Sequence, residues 1–177
     1  MPSKRSLSLV VWLLTVGLAS WWGATAAAQV NLEKWRLVRI PDLAARRAAI
    51  AALEAAVARL RNAECRKVLT DFDKGDGMSL ADQLSSLGVD IPDYFAMITF
   101  LDDSRHRRCE TGALFFTEPG SRVVRVCTDE LTRINSDHPQ YVTAAVIHEI
   151  LHTLGLGESP PSSREITGRV MIRCRLR

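Results

Sequence analysis

The chain has no surplus of charge outside its extreme N-terminus, no CxxC pair, no internal repeats and no low-complexity tracts. Lys4 and Arg5 precede every acidic residue. Without them, Lys+Arg falls from 23 to 21 against 20 Asp+Glu, and the formal net charge drops from +3 to +1. A balance so close to neutral gives no electrostatic footprint for nucleic acid. Without a CxxC pair, a cysteine zinc site is excluded. No cysteine follows the small residues Ala26-Ala27-Ala28, which removes a lipoprotein anchor.

What is present begins with a targeting segment. Lys4 and Arg5 form a basic n-region, Leu7 to Leu18 an apolar h-region, and Ala26-Ala27-Ala28 an A-x-A site before Gln29. We read residues 1–28 as a cleaved signal peptide. The alternative is an uncleaved anchor, since the apolar stretch is nearly long enough to span a bilayer. Cleavage leaves about 149 of the 177 residues, enough for a single domain, 29–177, with its own core. It places the protein in the periplasm or outside the cell, with no stable membrane association. Four cysteines remain: Cys65, Cys109, Cys127 and Cys174. An even count in an exported chain reads as two disulfides. Sequence leaves three pairings open. Cys109 and Cys127 flank a hairpin they can close, which favours Cys109–Cys127 with Cys65–Cys174.

Asp42 to Arg66 reads as a long helix. Leu43, Ile50, Leu53, Val57 and Leu60 recur at helical spacing, and arginines supply the polar face. Trp35 belongs to a segment docking onto the domain. Lys67 to Phe72 reads as a short strand. In Asp71 to Gly77 the calcium-loop pattern fails, because Gly75 and Asp76 occupy positions that require a ligand and a glycine; a polar turn fits better. Ser79 caps a short helix that Gly88 ends. Tyr94 to Leu101 reads as a strand. Gly112–Thr117 and Arg122–Cys127 flank Glu118-Pro119-Gly120-Ser121, the pattern of a hairpin, though its buried face stays open. Pro139 to about Leu154 is a mostly apolar helix, and Ser162 or Ser163 caps a last one.

The most specific signal lies at the end of the Pro139 helix: His148-Glu149-Ile150-Leu151-His152-Thr153-Leu154-Gly155-Leu156-Gly157-Glu158. Residues four apart share a helix face, so His148 and His152 can aim both imidazoles at one Zn2+ ion. Zinc lowers the pKa of a bound water toward ~7, and Glu149 is placed to act on that water as general base. Gly155 can end the helix in a left-handed turn, returning the chain so that Glu158 arrives ten residues after His148.

This string resembles the metzincin signature HExxHxxGxxH at every fixed position but the last, where Glu158 replaces the third histidine. The resemblance covers about eleven residues. It implies an α+β, zincin-like fold: a small twisted sheet packed on the HExxH active-site helix, with a long N-terminal and a short C-terminal helix here. It implies an edge strand, in the 112–127 hairpin, that pairs with a peptide or protein substrate. It further implies His148, His152 and Glu158 as metal ligands. Glu165 is the rival third ligand, by analogy with gluzincins, which complete their site from a later helix. Met171 is the only candidate for the methionine turn. No tyrosine follows Tyr141, so tyrosine-assisted oxyanion stabilisation is not expected; Arg164 and Arg169 are the nearest substitutes.

The leading expectation is therefore a secreted or periplasmic zinc metalloendopeptidase. A non-catalytic zincin-derived binding protein, or an envelope scaffold built on the long Ala/Arg helix, is the alternative. Neither substrate specificity nor oligomeric state follows from the sequence.

Overall fold

A computed structural model describes residues 35–176; the segment expected to be a signal peptide, residues 1–28, lies outside them. Among the described residues the architecture is α+β, with a small mixed four-stranded sheet and eight α-helices. In chain order the elements are β1 (Val38–Arg39), α1 (Leu43–Arg61), α2 (Ala63–Arg66), α3 (Leu80–Ser86), α4 (Ile91–Ala96), β2 (Thr99–Asp102), α5 (Arg107–Glu110), β3 (Phe115–Phe116), β4 (Val123–Val126), α6 (Thr128–Asn135), α7 (Pro139–Thr153) and α8 (Ser163–Cys174). Among the described residues no helix is long and apolar enough to cross a membrane.

The expected long helix is two helices. Asp42 caps α1 by accepting the Ala45 N–H at 2.7 Å. Ala45, Ala49, Ile50, Leu53, Ala56, Val57 and Leu60 then form its buried stripe. Asn62 breaks it: its backbone is extended and its side chain accepts the Glu64 N–H to start α2, a competition with the helix that asparagine favours. Lys67–Leu69 is a 3-10 turn, not the expected strand. Tyr94 also lies outside a strand. Asp90 caps α4, with Ile91 and Pro92 opening it, so the apolar run from Tyr94 divides between the end of α4 and β2. The Asp71–Gly77 segment is a polar turn as expected, with the Lys74 N–H bonded to the Met78 carbonyl. Asp71 is occupied by a two-pronged pairing with Arg173 at 2.7 Å.

The sheet order is β1-β2-β4-β3, with β1, β2 and β4 parallel and β3 antiparallel at one edge. Val124 and Val126 point inward, while Val123 and Arg125 point outward, which settles the open face of the hairpin. Helix α1 packs on α7, α6 and α4, and α7 crosses the sheet at its β3–β4 end. The two disulfides pair Cys65 with Cys174 and Cys109 with Cys127. The first ties α2 to the end of α8, and the second ties α5 to the end of β4.

Candidate metal centre

Helix α7 is built to present its C-terminal turn. Pro139 occupies the first turn, where its missing N–H costs nothing. The helix ends in a Schellman motif: the Gly155 N–H bonds the His152 carbonyl at 2.8 Å and the Leu156 N–H bonds the Leu151 carbonyl at 3.2 Å. Gly155 sits at φ 110°, and a Cβ there would come within 3.1 Å of the Lys74 side chain. The backbone angle calls for glycine, and a Cβ would in addition require the Lys74 side chain to shift. Leu151 and Leu156 are buried beside one another in the motif, and Glu158 is carried back over the helix end.

His148 Nε2 lies 2.9 Å from His152 Nε2, and Glu158 Oε1 lies 3.3 Å and 3.2 Å from these two nitrogens. Ligands bound to one tetrahedral zinc at about 2.0–2.1 Å are about 3.3 Å apart, so three donor atoms already approximate one face of such a site. Two imidazole nitrogens and a carboxylate oxygen are also a donor set suited to zinc. Among the described residues this is the one histidine, cysteine or carboxylate group with that potential.

The outer nitrogens fix the orientation of both rings. His152 Nδ1 lies 2.7 Å from the Leu156 carbonyl. A carbonyl only accepts, so Nδ1 carries the proton and the Nε2 lone pair faces the cluster. His148 Nδ1 lies 2.9 Å from the Thr167 hydroxyl on α8, which can accept its proton and leave Nε2 free in the same way. Such outer partners hold metal-binding histidines in one tautomer.

The imidazoles of His148 and His152 are buried, whereas the Glu158 side chain is half exposed. Burial, reinforced by the neighbouring His152, pulls His148 down to about 4, so it stays neutral near pH 7. Burial alone would raise Glu158, but the His152 and His148 imidazoles outweigh it and hold its carboxyl below the usual value. Glu149 is pushed up to about 8, by burial first and then by the Glu158 charge; Arg108 and the Thr117 backbone N–H act in the other direction. Buried carboxyls prefer the neutral form unless a positive charge lies nearby.

These residues line a cleft of about 520 Å³, whose opposite wall is β3 and the turn after it: Phe115, Phe116, Thr117, Glu118 and Pro119. The Gly120 N–H bonds the His152 carbonyl at 2.8 Å, fastening this turn to the end of α7. The Cys127 N–H bonds the carbonyl of Leu114, its opposite residue. Antiparallel pairs alternate, so the N–H and C=O of Phe115, one residue on, are directed away from β4 toward the open edge.

Of the residues singled out from sequence, His148, Glu149, His152 and Glu158 come together here. Glu165 does not: it is exposed in the first turn of α8, its N–H engaged by Ser162. Arg164 and Arg169 are exposed and line no wall of the cleft. Met171 lies within α8, packed against the core, and not in a turn. Thr167 and Arg108 were not foreseen. Thr167 is nineteen residues from its histidine, and no spacing rule marks it; Arg108 sits in an Arg-His-Arg-Arg run that could have drawn attention.

Comparison of the chain with protein-family models, with curated proteins and with solved structures finds no match.

Proposed function

We propose that this protein is an exported zinc metalloendopeptidase with a zincin-like site, in which His148, His152 and Glu158 hold the metal and Glu149 is the general base. The observation that carries this is the convergence of three donor atoms, 2.9–3.3 Å apart, beside a buried glutamate that is not one of them. A purely structural site has no need of that fourth residue. Zinc held there supplies positive charge that favours the ionised form of Glu149, and Lewis acidity that acidifies water and polarises a carbonyl.

The chain's own groups do the rest. The Phe115 N–H and C=O align an extended peptide along the edge of β3 by main-chain pairing. The Thr117 N–H and the Arg108 charge favour the ionised form of the Glu149 carboxylate. Glu149 takes a proton from the attacking water and delivers it to the departing amine nitrogen. Thr167 and the Leu156 carbonyl keep both imidazoles turned inward through the cycle.

The test is hydrolysis of a denatured protein by the zinc-loaded mature chain. Activity should be lost to a chelator and restored by zinc. Glu149→Gln should keep the metal and lose about 10²–10⁴-fold in rate. Near-normal turnover in that variant, or no hydrolysis of any peptide by the parent protein, defeats the proposal.

A further inference from the structure

The cleft does not end at the metal site. It continues past β3 into a second cavity of about 490 Å³, and Arg108 lines both, together with Phe116, Thr117 and Glu118. Among the described residues Arg108 is the only cationic side chain on the wall of the first cavity. Its backbone is held from several sides. Its N–H donates to His106 Nδ1 at 3.1 Å, and its carbonyl accepts from the Thr111 hydroxyl at 2.8 Å and from the Ala113 N–H at 3.3 Å. The next residue, Cys109, is tied covalently to Cys127 at the end of β4. The side chain extends over the Phe116 ring, with the guanidinium carbon 5.4 Å from the ring centre.

A guanidinium over an aromatic ring can still turn its N–H edge to a planar, two-pronged partner. Among the described residues no carboxylate forms an ion pair with it. The neighbouring arginine, Arg125, is by contrast already engaged by Asp103 at 2.9 Å. Glu118 and Glu149 line the first cavity with Arg108, and Glu110 a separate one; none of the three forms an ion pair with it, and Glu149 feels its charge at longer range. The cleft thus presents one exposed cation, without a direct ion pair, beside the edge strand and within electrostatic reach of Glu149.

Resting on the peptidase reading, we propose that Arg108 is a specificity-determining residue that receives the carboxylate of an aspartate or glutamate side chain of the bound peptide, within a few residues of the scissile bond. An extended peptide advances about 3.3 Å per residue, so a side chain a short step from the reacting carbonyl reaches the neighbouring cavity. A charge-assisted, two-pronged contact of this kind supports roughly a tenfold preference over a neutral amide of the same shape.

The test uses fluorescein-labelled peptides, each carrying one glutamate at a different position and matched to a twin with glutamine there. Binding to zinc-loaded Glu149→Gln protein is read by fluorescence anisotropy, and turnover by the parent protein is measured separately. At one position the glutamate peptide should bind about tenfold tighter. Adding Arg108→Gln should reduce the ratio to about one, and Arg108→Glu should transfer the preference to a lysine twin. Equal binding of the twins at every position, or a preference that survives Arg108→Gln, overturns the proposal. So does a variant that slows both twins equally without changing their binding ratio, because Arg108 would then act on the reacting carbonyl. An Arg108-dependent preference without hydrolysis would keep the carboxylate contact and remove the peptidase reading, and with it the contact's place beside a scissile bond.

Discussion

Thr167→Val separates metal binding from simple packing. Valine keeps the shape of threonine but replaces the hydroxyl that lies 2.9 Å from His148 Nδ1. In the metal-free protein the cost is small, because the neutral imidazole can carry its proton on Nε2 and donate it to His152 or Glu158. Metal binding removes that option. Nε2 must then offer its lone pair, and the proton is forced onto Nδ1, against a methyl group. The His148 side chain is only 6% exposed, so losing its outer partner is costly. An orphaned buried donor costs about 1–3 kcal/mol, or roughly 5- to 150-fold in an equilibrium constant. That agrees with the about 10–100-fold loss typical of removing a partner behind a metal-bound histidine. Zinc affinity, measured by competition with a chromophoric chelator, should therefore weaken by about 10–100-fold. Thermal unfolding of the metal-free protein should barely change, and Thr167→Ser should restore affinity. Parent-like zinc binding by Thr167→Val, in a folded protein, refutes the assigned tautomer and the role of α8 in the site.

Two further perturbations probe the same region. Gly155→Ala places a side chain at φ 110° and against the Lys74 stem; unfolding in urea should show a loss of about 1–3 kcal/mol, and zinc binding should weaken as Glu158 is displaced, whereas a neutral substitution would mean that the turn does not constrain the site. In the metal-free protein Glu149 is raised from 4.5 to about 8, so its contribution to stability is complete below about pH 4.5 and is lost as pH rises toward 8. His148 is lowered from 6.5 to about 4, so its contribution is complete above about pH 6.5 and is lost as pH falls toward 4. With chelator present, the parent protein should lose melting temperature relative to Glu149→Gln between pH 5 and 8, and parallel pH profiles for the two would contradict the assigned burial of that carboxyl.

The parts of this fold legible in the sequence are those with strong local chemistry. Ser79 and Ser162 cap α3 and α8 with hydrogen bonds from the backbone three residues on. Pro139 opens α7, and Gly155 closes it at a backbone angle that few other residues tolerate. The hairpin also follows from residue order, and it favours the Cys109–Cys127 pairing without excluding the other two connectivities. The less legible parts are short or depend on tertiary contacts. β1 is only two residues long and exists because Val38 and Arg39 pair with Phe100 and Leu101. The apolar run from Tyr94 carries no period that separates strand from buried helix end, and the Asp90 cap and Pro92, which decide it, lie just upstream. α6 rests on Leu131 buried against the helices, with weak local signals of its own. At the site, spacing within one helix turn and its C-cap brought three ligand candidates and the base together. Thr167 and Arg108 reach it from α8 and α5, across separations where only the folded chain determines proximity.

The most direct measurement is zinc titration of the purified protein, residues 29–177, beside Glu158→Ala and Glu165→Ala. The parent should bind one zinc per chain. Glu158→Ala should bind it more than about 100-fold more weakly, beyond the loss expected for a partner outside the coordination sphere, and Glu165→Ala should match the parent. A parent protein that binds no zinc, or a Glu158→Ala variant with undiminished affinity, would contradict the metal centre described above.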